Sequence, residues 1–329
     1  MTFPDTLHAL ERIPLAEYPT PLEYLPRLSG EYGHPIYVKR DDGIGPALGG
    51  NKTRKLEYLM ADARSKGHRK VVTFGGLQSN HARLTAAVAN QLGMEAHLFY
   101  FEKRPAALTG NLLINQLLGA KMRFIPLGGG GNGMTIETTI RLVRFVSWLM
   151  VGRNYFIPVG GHNWLGCLGY VRAALELDEQ ARHAGIENAH LVVAAGSGGT
   201  LTGLLAGLSM NKSKLRLLGI DVGKLWKGFP DSIASLAADI CSRLGDPLPF
   251  TPGQVPLIEG LYVGDGYSVP SPGGLTAMQK AAQLEGLLLD PVYTAKVFAG
   301  MLGEIEKGRF GRDGPVIFLH TGGLPALFA

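Results

Sequence analysis

Three short stretches of this sequence join donor or nucleophilic side chains to glycines at spacings that suggest chemistry. The first is Gly49-Gly50-Asn51-Lys52-Thr53-Arg54-Lys55-Leu56-Glu57-Tyr58. Leu56, Leu59, Met60 and Ala63 form a helical apolar stripe, which puts Lys52 in the first turn of a helix. A cation is disfavoured at that end of the helix dipole, so Lys52 makes poor sense as decoration. An amine held there, behind two glycines that leave space, could form an imine with an aldehyde cofactor. The competing reading is a solvated surface lysine. Lys55, one turn on, reads as the ordinary amine of the two.

The second stretch, Thr73-Phe74-Gly75-Gly76-Leu77-Gln78-Ser79-Asn80-His81, reads as strand, turn and helix start, with Ser79 or Asn80 as cap. Its free amides and three polar side chains would suit a carboxylate; a plain cap is the simpler reading. The third, Ala194-Ala195-Gly196-Ser197-Gly198-Gly199-Thr200, repeats the device with small residues, and such a turn suits a phosphate or is only a tight connection. A P-loop would need Gly-Lys-Ser/Thr here, and none is present. The dinucleotide fingerprint would need glycine at 201, where Leu201 stands. Asp221 nevertheless closes a strand about twenty residues on, where a ribose-binding acid would sit, so a nicotinamide cofactor stays open. The histidines show no metal-binding pair, no metal is expected, and Cys167 and Cys241 read as core residues.

The elements that would position these stretches alternate from residue 36 onward. Strands are expected at Ile36–Lys39, Val71–Phe74, Ala96–Phe101, Met122–Pro126, Tyr155–Pro158, Leu191–Ala195, Leu215–Ile220 and Val316–Leu319. Helices are expected at Lys52–Ser65, Asn80–Leu92, Leu165–His183, Leu201–Leu208, Ser232–Leu244, Leu275–Glu285 and Ala295–Lys307. Strand–helix alternation implies an α/β fold, a parallel sheet with covering helices, whose ligands sit at the carboxyl ends of strands. Asp246–Gly274 reads as a loop that could cover a site.

Composition agrees. Glycine supplies 46 of 329 residues, about twice the usual roughly 7%, and clusters at strand ends. With 46% hydrophobic and 18% charged residues, disorder is excluded. The net charge of +5 is thinly spread, so no nucleic-acid partner is expected. Two cysteines without motif spacing suit a reducing cytoplasm, and no signal peptide is visible. His190–Asn211 carries no charge, but its central Gly-Ser-Gly-Gly-Thr favours strand, turn and buried helix over a membrane span.

Several longer motifs carry a resemblance: GGNKTRKLEYLMADA, GGLQSNHARLTAAVANQLGM, GSGGTLTGLLAGL, LDPVYTAK, HTGGLPALFA and the early KRDD at Lys39–Asp42. Together they resemble the family of 1-aminocyclopropane-1-carboxylate (ACC) deaminases and D-cysteine desulfhydrases, within the fold-type-II pyridoxal-phosphate enzymes. The resemblance runs from about Pro19 through HTGGLPALFA. It implies a tryptophan synthase β-like fold: two open, mostly parallel sheets with helices on both faces. A large domain would comprise residues 1–47 and 164–329, and a small one residues 48–163. It also implies pyridoxal 5'-phosphate as cofactor, a small amino acid as substrate and a homodimer.

Carried over by motif, Lys52 is the Schiff-base lysine and Asn80 contacts the cofactor's ring hydroxyl. Ala195, Gly196, Ser197, Gly198, Gly199 and Thr200 hold the phosphate, and Thr321 stands near the ring nitrogen. Ser79, Tyr267 and Tyr293 take catalytic roles. Gln78, Ser79, Asn80, His81, Gly161 and His162 border the substrate. ACC deaminases proper carry Glu and Leu where this chain has Thr294 and Thr321, and Gln in place of His81. A threonine offers the ring nitrogen only a neutral hydrogen bond, whereas ring opening calls for a stronger electron sink. The resemblance therefore implies α,β-elimination of D-cysteine to pyruvate, hydrogen sulfide and ammonia. ACC deamination and L-cysteate or L-cysteine elimination remain on the same scaffold; a nicotinamide oxidoreductase or a non-catalytic amino-acid binder is more remote. Gly128–Gly131 and Gly160–Gly161 have no assigned role and read as flexible or substrate-shaping.

Overall fold

The computed structural model describes residues 3–126, 134–311 and 314–329; Gly128–Gly131 lie outside them. A first group of elements is α1 (Phe3–Ala9), β1 (Leu22–Tyr24), α2 (Pro26–Tyr32) and β2 (Ile36–Arg40). Next come α3 (Lys52–Ser65), β3 (Lys70–Phe74), α4 (Asn80–Gln91), β4 (Glu95–Tyr100), α5 (Gly110–Leu117), β5 (Lys121–Phe124), α6 (Ile136–Val151) and β6 (Tyr155–Phe156). The chain continues through α7 (Trp164–His183), β7 (His190–Ala195), α8 (Gly199–Met210), β8 (Arg216–Asp221) and α9 (Phe229–Arg243). After these stand β9 (Leu257–Ile258), α10 (Pro272–Glu285), α11 (Thr294–Glu306) and β10 (Val316–His320).

The strands form two sheets. One has the order β1-β2-β10-β7-β8-β9 and is parallel except for β1 against β2; the other is wholly parallel, β5-β4-β3-β6. All eight expected strands and seven expected helices are present, with ends shifted by a few residues. Strand β9 falls inside the stretch expected as loop, and α10 starts at Pro272, also inside it, with Ser271 as its cap. Strands buried on both faces are the rule for parallel sheets. Here Val192 and Phe318 pack among α2, α10 and α11, while their neighbours Val193 and Ile317 pack among α7, α8 and α9. Successive side chains thus serve opposite cores.

The uncharged stretch resolves into β7, a turn and α8. Among the described residues no helix is long and apolar enough to cross a membrane. Helix α8 is buried because it lies against α7 at very close range. A Cβ on Gly207 would stand 2.7 Å from the Ala174 Cβ, and one on Gly203 would also stand 2.7 Å from the Tyr170 Cβ.

Helix α3 ties the two sheets together. Leu56, Leu59, Met60 and Ala63 join the core of the four-stranded sheet, whereas Tyr58 packs with Cys167, Leu168 and Val171 of α7. Its first turn is fixed by a buried fork. Arg54 Nε donates to Asp41 Oδ2 (2.8 Å) and Nη1 to Glu176 Oε2 (2.8 Å), and the Tyr170 hydroxyl donates to Asp41 Oδ2 (2.6 Å). Both carboxyls are held below their ordinary range, against the opposing effect of burial, by the Arg54 guanidinium. The Lys39-Arg40-Asp41-Asp42 motif thus anchors the helix that carries Lys52; Lys39 Nζ completes the fork at Glu176 Oε1 (2.5 Å).

Candidate active site

Lys52 is the first residue of α3, so its position follows from the helix start that the apolar stripe dictates. The preceding Asn51 does not cap the helix with its side chain. Its Oδ1 instead accepts from Lys52 Nζ (2.9 Å), and its Nδ2 donates to Thr200 Oγ1 at the start of α8 (3.1 Å). The Asn51 amide donates to the Thr321 carbonyl (3.0 Å). One asparagine therefore joins the lysine, the third glycine turn and the segment after β10. Burial above all holds the Lys52 amine well below its ordinary pKa; Lys55 and Arg83 add to this, and Asp290 opposes it. A lowered pKa enlarges the unprotonated fraction of the amine, which is its nucleophilic form.

The Gly196–Thr200 turn leaves amides unused. Among the described residues the N–H groups of Ser197 and Gly198 make no backbone hydrogen bond, and those that open α8 have no intrahelical partner. Gly198 caps α8 with φ +83, a left-handed conformation that favours glycine. Gly160, also left-handed, receives the Ser197 hydroxyl where a side chain would collide, and its missing Cβ would stand 3.8 Å from Lys52 Cε. Gly161 gives room to Lys55 Cδ at 3.2 Å and Leu59 Cδ1 at 3.3 Å. The Gly160–Gly161 pair therefore packs against the turn and both lysines.

Lys55 is not the ordinary amine its spacing suggests. It is buried, donates to the Gly160 carbonyl (3.0 Å), and its Nζ would stand 2.9 Å from a Cβ on Gly199. Burial lowers its pKa to about 8. Beside it Cys167 is a buried free thiol pushed up to about 11 by burial. No group that could hold a metal ion occurs among the described residues.

On the opposite wall Ser79 caps α4, its Oγ accepting from the Ala82 amide (3.2 Å). Gln78 is committed to the start of α5: its Oε1 accepts from the Asn111 amide (2.8 Å) and its Nε2 donates to the Thr109 carbonyl (3.2 Å). His81 is buried, and its ring is held neutral by burial and by the nearby Lys52 and Lys55. His162 is buried too, with its pKa lowered to about 4 chiefly by burial. Its Nε2 meets Ser232 Oγ (3.2 Å), and that hydroxyl bonds Glu137 of α6.

Two tyrosines lie against these walls. Tyr267 Cε1 would stand 3.0 Å from a Cβ on Gly76, and Tyr293 Cε1 3.4 Å from one on Gly196. Their hydroxyls bond each other, with ring centroids 5.9 Å apart. Burial raises both phenol pKa values. Thr294 has its hydroxyl engaged by the Asp290 amide (2.7 Å). Asp290 accepts from the Val292 and Tyr293 amides (3.1 and 2.7 Å), and Gly323 makes room for its carboxylate. Burial raises its pKa to about 6.

Of the residues marked from sequence, Lys52, Ser197, Thr200, Gly161 and Thr321 converge directly or through Asn51. Ser79, Asn80 and His81 open the facing helix, and Tyr267 and Tyr293 bridge the Gly76 and Gly196 turns. Gln78 and His162 make their hydrogen bonds at α5 and α9. Asn51, Lys55, Arg83, Asn111 and Asp290 are additional residues of the site. Of these only Asn51 and Lys55 carry a local signal, adjacency to Lys52. Asp221 spends its carboxylate on the Gly223 and Lys224 amides (3.0 and 3.1 Å), which removes the feature that kept a nicotinamide cofactor open.

A lysine amine held well below its ordinary pKa beside a glycine turn with free amides, backed by a second buried lysine, fits an aldehyde cofactor that bears a phosphate. This is the architecture of a pyridoxal-phosphate-dependent enzyme, and the sequence profile of that family matches residues 13–322. The chain belongs to the pyridoxal-phosphate-dependent enzyme family, and within it to the ACC deaminase-like group. A crystal structure described as an ACC deaminase homologue is 35% identical, with a TM-score of 0.88 over 99% of this chain and 96% of that one. A pyridoxal 5'-phosphate-dependent aspartate racemase, 17% identical, superposes with a TM-score of 0.64 over 92% of this chain and 90% of that one, and shares the fold. The cofactor is pyridoxal phosphate.

Proposed function

We propose that this enzyme eliminates hydrogen sulfide from D-cysteine, giving pyruvate and ammonia after one water is taken up. The observation that carries the reading is the pair Thr294 and Thr321 where the ACC deaminase pattern has Glu and Leu. With Thr294 bonded to the Asp290 amide, no glutamate stands at that position. When bound, pyridoxal phosphate supplies an electron sink conjugated to the substrate's α-carbon.

The chain's residues then divide the work. Lys52 holds the cofactor and exchanges a proton at the α-carbon; its neutral amine is the form that does so. Ala195 to Thr200 hold the phosphate, with Lys55 as the cation behind the turn. The amides that open α4, with Ser79 and His81, receive the substrate carboxylate, and Gln78, Gly161 and His162 border it. Tyr267 and Tyr293, whose raised pKa values keep them protonated, give a proton to the departing sulfur. Residues 1–47 and 164–329 form the large domain and 48–163 the small one, and the enzyme acts as a cytoplasmic homodimer.

The similarity to an ACC deaminase homologue favours a second reading, deamination of ACC. A substrate panel separates them: D-cysteine yields pyruvate and sulfide, ACC yields 2-oxobutyrate, and L-cysteate yields sulfite. The protein is expected to show a borohydride-sensitive visible band with pyridoxal phosphate, and Lys52→Ala none. Turnover of ACC with no sulfide from D-cysteine would replace the first reading by the second.

A further inference from the structure

Arg83 is wholly buried in α4, and no carboxylate among the described residues pairs with it. A guanidinium is rarely buried without an anion. Here its donors go instead to neutral acceptors. Its Nη2 donates to the Gly49 carbonyl (2.9 Å) and to Asn80 Oδ1 (3.3 Å), its Nε to Asn111 Oδ1 (2.6 Å), and its Nη1 to the Ala47 carbonyl. Asn111 Nδ2 also donates to Asn80 Oδ1 (3.1 Å). Two donors on one side-chain oxygen settle the orientation of the Asn80 amide. Its Oδ1 faces α5, so its Nδ2, which makes no hydrogen bond among the described residues, is the end left for the cleft. The same guanidinium grips the carbonyls of the loop that delivers Lys52.

We propose that Arg83 is a positioning residue for this site: with Asn111 it fixes the Asn80 amide so that its donor end is left free, and it holds the loop that delivers Lys52. The inference rests on the pyridoxal-phosphate site described above.

The test compares wild type with Arg83→Met, Arg83→Lys and Asn111→Ala. Pyridoxal phosphate is titrated into cofactor-free protein, and both its affinity and the position of the visible band it forms are followed, with thermal melting as the check on folding. Arg83→Met is expected to weaken pyridoxal phosphate at least about tenfold and to shift the band. Arg83→Lys restores neither, because it keeps the charge and loses the fork. Asn111→Ala, which frees Asn80 without touching a charge, weakens the cofactor and shifts the band in the same direction. A folded Arg83→Met with wild-type affinity and band overturns the proposal. If that variant does not fold, unchanged affinity in Asn111→Ala does so. Failure of wild type itself to form a Lys52 adduct with pyridoxal phosphate would instead remove the site on which the inference stands.

Discussion

Lysine at the first turn of a helix runs against the helix dipole, and that conflict is what singles out Lys52 in the sequence; the structure does place it first in α3. The burial of Lys55 is not legible, because it depends on α7 and on how close Gly199 comes. Arg83 is harder still: its partners Ala47, Gly49 and Asn111 lie 36, 34 and 28 residues away. The same holds for Asp290, whose burial gives a testable pH dependence. Its folded pKa of about 6 lies above the ordinary 3.8, so ionising it costs stability. The stabilising protonated form is fully present below about 4 and lost as pH rises through 6. Cofactor-free Asp290→Asn, which cannot ionise, is therefore expected to gain on wild type between pH 4 and pH 6, by up to about 3 kcal/mol, and to hold that gain above. Thermal melts at three pH values across this range would show it; a constant difference would mean that the carboxyl titrates normally.

Elements are readable where pattern and length are strong. Strands buried on both faces present uninterrupted apolar runs, and each such run marks its strand. Strand β1 escapes because three residues hold no period; β9 is as short as β6 but lies in a proline- and glycine-rich stretch. Glycines inside helices are the least readable feature. On helix propensity alone, Gly203→Ala should stabilise α8 by about 1 kcal/mol. Its new Cβ, however, would meet the Cys167 carbonyl and the Tyr170 Cβ, and overpacking of this kind costs about 1–3 kcal/mol. The contact is with backbone, which yields little, so a net loss of about 1–2 kcal/mol and a lower melting temperature are expected. An unchanged or raised melting temperature would mean that α7 and α8 separate easily.

At the scale of the whole molecule, the sequence resemblance implies two mostly parallel sheets, and the structure has them. The apolar outer face of α6 has no counterpart among the sequence expectations. Leu142, Phe145, Trp148 and Leu149 are each about half exposed or more (48–60%), a density that marks an interaction surface. In the proposed homodimer this face is the first place to look for the contact. Phe145→Glu is expected to shift the protein toward monomer in analytical ultracentrifugation; a dimer of undiminished stability would put the interface elsewhere.

Strand β10 sits between β2 and β7 in the middle of its sheet, although it is synthesised long after both. Until it arrives, two partly built halves must stand apart with their inner edges open, and unpaired edges are where chains stick to one another. The Thr321 carbonyl that receives the Asn51 amide follows directly behind that strand. A chain still being translated therefore has its lysine early and a place to bring it to bear only late. If Lys52 holds the cofactor as proposed, the order of synthesis itself disfavours premature capture by an incomplete polypeptide.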